Sequence, residues 1–502
     1  MKDRSESDQK RGVVQLLLAI GLVVLLMALL VWGVPGATPA HADPGILYVD
    51  GASGSDDSDC SSSADPCASI GYALTQAGNG DEIRVAEGSY LETLHIQISV
   101  TLEGGYEATA WTRDIGTHPT IVDANGADDG AISIHPGLSV MVEGLIVQGA
   151  NHTSGQGGGF FIENATAVIS ATIIRNNSGT DGGGINIGQG DGLTASLTLV
   201  DSALLTNTAV TGAGGGLHIG GWPPPAVALE NVKIHGNVAA GGGGGIGGMW
   251  ATLTNCQVVS NTAGTEGGGI GLIHAYIYSS TISHNQALNA GGSGILVRFG
   301  RLHLQDSVVS NNHGSGHGIE AGNAAGVTVL DTTIINNGND GIAPWSSPFT
   351  LTNVLIADNG GSGIVGDSNP LTGTMMNVTI ATNGNNGIQM TGSDVRVINS
   401  ILWGNGGQDN NCSGNCTFTY SDIGTGDTTG TGNISEGPLF VDDGAGDYHL
   451  RINSPCKDAG TPAGAPPADL EGTPRDAVPD MGAYEWTGFR IFLPLVLRGF
   501  GP

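Results

Sequence analysis

The sequence predicts an all-β fold, a right-handed parallel β-helix (a solenoid) with a short amino-terminal capping helix and an irregular carboxy-terminal cap. Three observations carry this expectation. A glycine–apolar half-repeat recurs, from GGGFFI at 157–162, GGGINI at 182–187 and GGGLHI at 214–219 to SGIV at 362–365 and NGIQM at 386–390. A second half-repeat reads Asp/Asn, small, x, apolar, x, x, Asn, as in DSALLTN at 201–207, NVKIHGN at 231–237 and NVTIATN at 377–383. Its closing asparagines are Asn177, Asn207, Asn237, Asn261, Asn285, Asn312, Asn337, Asn359, Asn383 and Asn405, spaced by 30, 30, 24, 24, 27, 25, 22, 24 and 22 residues. Such a period is a repeat signature, and it accommodates two or three short strands with tight turns. Sustained 3.6-residue periodicity, which a helical repeat of that length requires, is absent.

Each element of the repeat has a physical reason. Stacked coils set equivalent residues about 4.8 Å apart, so identical side chains form ladders along the axis. Asparagine tolerates a left-handed turn and its amide reaches the amide of the next coil. Glycine ahead of a strand permits positive φ and close backbone approach. The small residue after Asp/Asn points inward, where sheets crowd. Late turns are trimmed to N-G-N-D-G-I (337–342) and N-G-N-N-G-I (383–388), whereas earlier linkers such as GGWPPPA (220–226) are long and variable. Loops of that kind are the natural place for a binding surface.

A solenoid needs covered ends, because open coils present unpaired strand edges. PCASIGYALTQAGNGD (66–81) reads as an amphipathic helix with Ile70, Ala73, Leu74 and Ala77 on one face, an amino-terminal plug. Residues 437–486 lose the repeat and become proline-rich, which suits a carboxy-terminal cap. The resulting division is a leader at 1–42, a cap with first strands at 43–110, repeats at 111–436, the cap at 437–486 and an apolar tail at 487–502.

The leader carries Lys2, Arg4, Lys10 and Arg11 before an apolar run from Val13 to Val34 and the small-residue site Ala40-His41-Ala42. This is the pattern of a signal peptide cleaved before Asp43; the alternative is a retained membrane anchor, since about 20 apolar residues span a bilayer. Either way the body is expected outside the cytoplasm, extracellular or on the cell surface. The tail run IFLPLVL (491–497) is too short to span a membrane. Six cysteines suit an oxidising destination. Cys60 with Cys67 and Cys412 with Cys416 are expected as local disulfides, Cys256 as a small core residue and Cys456 as free.

A net charge of −30 with four lysines repels nucleic acid and anionic lipid, so neither is an expected partner. It also weighs against anionic polysaccharides, unless Arg298 and Arg301 form a local basic cleft.

The GG-[GS]-[ILV] and apolar-x-x-Asn halves resemble the paired repeats of chlamydial polymorphic outer-membrane proteins. The opening YVDGASGSDDSDC…GDEIRVAEGSY resembles secreted proteins with a pectate-lyase-like β-helix. The closing GPLF…GDYHLRINSPCKDAGT…DLEGTPRDAVPDMGAYE resembles the choice-of-anchor Q domain at the end of exported bacterial β-helix proteins. These resemblances imply fold and export. They also imply that any enzyme here acts on polysaccharides from an outward sheet face.

Such an enzyme needs paired carboxylates, or carboxylates for calcium with an arginine base. The outward positions after each glycine–apolar step are Asn186, His218, Gly247, Gly271, Leu296, Glu320, Ala343, Val365 and Gln389, with no two acids on adjacent coils. Three residues beyond the apolar position, His274 and Arg298 are expected as neighbours. His317 and Glu320 lie in GHGIE (316–320), similar to the GHG segment of polygalacturonases, but that family's NTD triplet, DD pair and Arg-x-Lys are missing. His274, Arg298, His317 and Glu320 are therefore the catalytic candidates, without a constellation to join them. Trp222, Trp250 and Trp345 follow glycine–apolar strands and suit stacking on sugars. No metal or other cofactor is expected; the Asp/Asn-rich turns leave calcium as the alternative, though none matches an EF-hand loop. The expected function is non-catalytic adhesion or binding of a glycan or cell-surface ligand. The alternative is a polysaccharide lyase or glycoside hydrolase. Amino-terminal sequencing of exported protein should read Asp43; an intact Met1 would establish the membrane anchor instead.

Overall fold

A computed structural model shows a parallel β-solenoid of about 12 turns. It describes residues 45–488 apart from 189–194, 290 and 367–370. The leader, its cleavage site and the tail from Phe489 onward lie outside the described residues. Among those described, no helix is long and apolar enough to cross a membrane.

Thirty-five strands join in one continuous sheet. A typical coil runs through Ile185–Ile187, Ser196–Val200 and Ala203–Leu205. Each strand pairs in parallel with its equivalent one coil on: Ile185 with Leu217, Leu197 with Val227 and Leu204 with Ile234. Ile, Leu and Val at alternate positions fill the interior, which runs as one apolar column from Leu47 to Ile423. A separate sheet of seven two-residue strands, from Asn151–His152 to His313–Gly314, adds a fourth side to the earlier coils. The glycine triplets lie against it. At Gly183 a Cβ would stand 2.4 Å from the backbone of Thr208, so no larger residue fits there. The later, shorter coils omit this side.

The closing asparagines form an inward ladder. Asn177 donates from Nδ2 to Asn207 Oδ1 at 3.2 Å and to Val147 O at 3.0 Å, while its own N–H donates to the same Asn207 oxygen at 3.1 Å. The pattern repeats through Asn383, which donates to Asn405 Oδ1 at 2.9 Å, and it ends where Asn405 donates to Asp409 Oδ1 at 2.7 Å. Asparagine was expected to occupy the left-handed turn itself. That conformation falls one residue earlier, at Thr206 (φ 52°), Ser260 (57°), Asp358 (54°) and Thr382 (52°). The preceding residue reverses the chain, and the asparagine after it turns its amide into the interior, where the carbonyls of the previous coil lie.

The Asp/Asn that opens the second half-repeat is also left-handed, as at Asp201 (48°), Asn231 (56°) and Asn377 (53°). The small residue that follows points inward and makes a second relay. Ser202 Oγ donates to Val200 O at 2.7 Å and accepts from Thr172 N at 3.1 Å. Cys256 occupies this position and its N–H donates to Ser280 Oγ at 3.0 Å; burial pushes its thiol up to about 11. Cys456 is likewise free and buried, and Cys60–Cys67 and Cys412–Cys416 are disulfides.

At the amino-terminal end a helix, Ile70–Gln76, buries Ile70, Ala73 and Leu74, and Ser69 caps it by accepting from Tyr72 N at 3.2 Å. The carboxy-terminal segment packs against the flank of the late coils, where Phe440, Tyr448, Leu450, Cys456 and Met481 meet Leu355, Ala357, Ala381 and Ile401. Those coil residues are apolar although they face outward, so the flank itself requires a cover. The segment is also tied to the left-handed corners: Asn353, Asn377 and Asn399 donate to the carbonyls of Ala468, Asp480 and Thr461 at 2.8, 3.0 and 2.8 Å. Arg475, itself buried, donates to Asn353 Oδ1 and Glu485 Oε2, each at 3.0 Å.

Replacing Asn359 by Leu removes the acceptor of Asn337 and the donor to Ile334 O and Asn383 Oδ1. Several buried polar groups then lack partners, at about 1–3 kcal/mol each before relaxation. A loss on the order of 3 kcal/mol is expected in denaturant unfolding, and an unchanged midpoint would disprove the ladder's role.

Candidate functional site

The corner between the first and second strands of successive coils gathers the molecule's unusual side chains. Trp222 follows the strand Leu217–Ile219 and is 73% exposed; Trp250, one coil on, is 43% exposed. Trp250 is paired in register with His274, and their rings meet edge to face at 4.7 Å. The next coil contributes Arg298, Phe299 (72% exposed) and Arg301. Two coils further, Trp345 stands with its ring 5.2 Å from that of His317, at 80°. Five of these six coils carry an aromatic ring or a histidine at one edge, over roughly 24 Å at 4.8 Å per coil.

The expected His274–Arg298 neighbourhood does not form. Register shifts after Leu272, so that His274 lies opposite Arg301. The shift comes from extra residues at Arg298–Gly300, where Phe299 adopts φ 65° and Gly300 passes so close to Ile273 O that a Cβ would stand 1.9 Å away. Burial, and then the Arg301 charge, push the His274 pKa down, so this imidazole is neutral at physiological pH. Its Nδ1 has no hydrogen-bond partner among the described residues.

Arg298 instead sits between two carboxylates on the neighbouring coils. It grips Glu266 with Nη1–Oε1 at 2.9 Å and Nη2–Oε2 at 2.8 Å, and Nη2 also reaches Glu320 Oε1 at 3.1 Å. The arginine side chain is 40% exposed, Glu266 30% and Glu320 1%. The exposed half of this triad is screened by water, while Glu320 depends on it, because a buried carboxylate without a cation is costly. Glu320 Oε2 has no hydrogen-bond partner among the described residues. His317 is also buried, with Nδ1 2.9 Å from Asp340 Oδ2 but off the line a hydrogen bond requires.

Glu266, which like Asp181 precedes a glycine triplet, was set aside because the two sit several coils apart, and Asp340 was missed because it lies outside the strand register. A signal existed, since Asp181, Glu266 and Asp340 each precede the glycines of a half-repeat. The register of the positions after each glycine–apolar step was correct, as Leu296 pairs with Glu320 and Glu320 with Ala343. Their accessibility was not: Asn186, Glu320 and Ala343 are fully buried. The glycine-rich corners fold back over this face, as at Gly182, where a Cβ would stand 2.8 Å from Asn186 Cα. Among the described residues, no group of three or more His, Cys, Asp or Glu side chains is placed to hold a metal ion.

Residues 158–316 and 279–424 match the family described as the right handed beta helix region, more than half of the sequence. The chain belongs to that family. Among solved structures, this right-handed β-helix is similar to the pectate lyase Pel9A at 15% identity and TM-score 0.32, covering 89% of this chain and 97% of that one. It is similar to the A-module of the Azotobacter vinelandii mannuronan C-5 epimerase AlgE4 at 14% identity and TM-score 0.35, covering 70% and 86%. XylC in complex with xylose aligns at 11% identity and TM-score 0.32, covering 88% and 98%. No curated protein matches the chain.

Arg298→Met should destabilise this β-helix by about 1–3 kcal/mol, because it strands the buried Glu320 carboxylate. Adding Glu320→Gln should restore part of the loss. Thermal unfolding of both variants checks this, and equal melting of the single variant and the parent would refute the dependence.

Proposed function

We propose that this β-helix is an exported, non-catalytic protein that binds neutral glycans along the corner running from Trp222 to Trp345. The observation that carries the reading is the recurrence of an aromatic or imidazole ring after the first strand of most of these coils: Trp222, Trp250, His274, Phe299 and Trp345, with Trp222, Trp250 and Phe299 exposed. Exposed rings repeated from coil to coil suit an extended polymer, because sugar faces stack on aromatic rings without needing charge. The charge pattern favours a neutral ligand. Arg298 is already satisfied by two carboxylates, and the chain as a whole carries −30. An anionic polymer would approach against that field.

A second reading, cleavage of a polysaccharide, is favoured by one specific observation: Glu266 and Glu320 lie close together through Arg298. Hydrolysis asks for two carboxylates flanking the scissile bond. Here the arginine occupies the space between them and Glu320 is 1% exposed. Binding is therefore the better-supported reading.

A glycan array probed with the exported chain should show neutral polysaccharides bound and pectate and alginate not bound. Trp250→Ala and Trp345→Ala should each weaken the strongest array hit about two- to twelvefold, the equivalent of about 0.5–1.5 kcal/mol per ring. Binding unaffected by the double variant would reject the corner as the site. Release of reducing ends or unsaturated products, abolished by Glu320→Gln, would replace the binding reading with the enzyme.

A further inference from the structure

The carboxy-terminal segment holds a feature that glycan binding leaves unused. Its antiparallel hairpin, Phe440–Asp442 with Asp447–Leu450, turns Phe440, Tyr448 and Leu450 into the core. The opposite face borders a cleft of about 690 Å³ whose lining includes Val441, Asp447, His449, Ile452, Glu471 and Trp486. Val441, on this hairpin, and Ile452, just past it, are 41% and 60% exposed and both line the cleft, an apolar surface that a further segment could cover. Asp447 and Glu471 stand at this surface, 2.7 and 3.4 Å from the two ring nitrogens of His449. Arg451 also borders the cleft, and its guanidinium is turned onto Val441 O at 2.7 Å.

Gly488, the last described residue, is itself part of the lining. Directly after it the sequence reads Phe489, Arg490, the apolar run Ile491–Leu497, then Arg498. We propose that residues 489–498 of this same chain occupy the cleft. Three properties fit that occupant. The tail begins at the cleft wall, so docking is intramolecular and needs no free partner. Its apolar run is too short to cross a bilayer, yet costly to leave in water. Its flanking arginines are opposite in charge to Asp447 and Glu471. Pro494 lacks an N–H and is suited to an edge position, so side-chain burial rather than a full strand ladder holds the segment. Docking then covers Val441 and Ile452 and completes the flank that the rest of the segment covers.

A photo-crosslinking amino acid placed at Ile452 of the full chain tests this. Mass spectrometry after illumination should identify a peptide from 489–502 joined to position 452 within one chain, at a yield independent of protein concentration. Crosslinks formed only between chains would assign the cleft to a second copy and overturn the proposal, as would the absence of any tail peptide among the products. A second measurement avoids altering the cleft. In the double variant Leu495→Glu/Leu497→Glu, amide exchange of the peptide covering 447–453 should accelerate at least fivefold. Unchanged exchange would also overturn the assignment.

Discussion

A buried primary amide in an apolar interior must satisfy its donors and its acceptor at once, and this constraint organises the solenoid. Each ladder asparagine spends its oxygen on the coil before it and its nitrogen on the coil after it and on a carbonyl of the preceding turn. The arrangement closes only if successive coils translate by one strand spacing with their corners aligned. Ala150 N supplies the first donor and Asp409 Oδ1 the last acceptor, so both ends of the row are satisfied. With that row in place, the remainder of a coil is free to vary in length between 22 and 30 residues without disturbing its neighbours.

That freedom explains what could be read from sequence and what could not. The ladder, the small-residue relay, the capping helix and both disulfides recur or stand in short local patterns, so spacing alone located them. The conformation of the corner was misplaced by one residue, because Thr206 or Ser260 carries no signature of a left-handed turn while the adjacent asparagine does. Arg298 was paired with His274 because the periodic count assumed equal coils, and the extra residues at Phe299–Gly300 broke it. Covering of the face at Asn186 and Glu320 depends on how glycine-rich loops fold back over the next strand. Nothing in the period specifies that path.

The charged cluster illustrates a general property of solenoids. Side chains from three consecutive coils meet although 54 residues separate Glu266 from Glu320. Regular stacking turns long sequence distance into a fixed short one, so an ionic site can be assembled from loops whose own sequences look unrelated. The same stacking lets a proline-rich segment far along the chain, at Ala468 and Asp480, fasten onto corners at Asn353 and Asn377.

The uniform rise of the coils also sets the spacing of the rings along the aromatic corner. A globular lectin shapes one pocket to one sugar, whereas under the proposed reading this edge would offer rings on most successive coils, at separations that follow the coil rise. On the proposed glycan-binding reading, recognition would be a matter of commensurability: a polymer whose repeat matches the coil spacing would meet successive rings, and one that does not would fall progressively out of step. Under that reading selectivity would grow with chain length, and short oligomers would bind far more weakly than a long polymer.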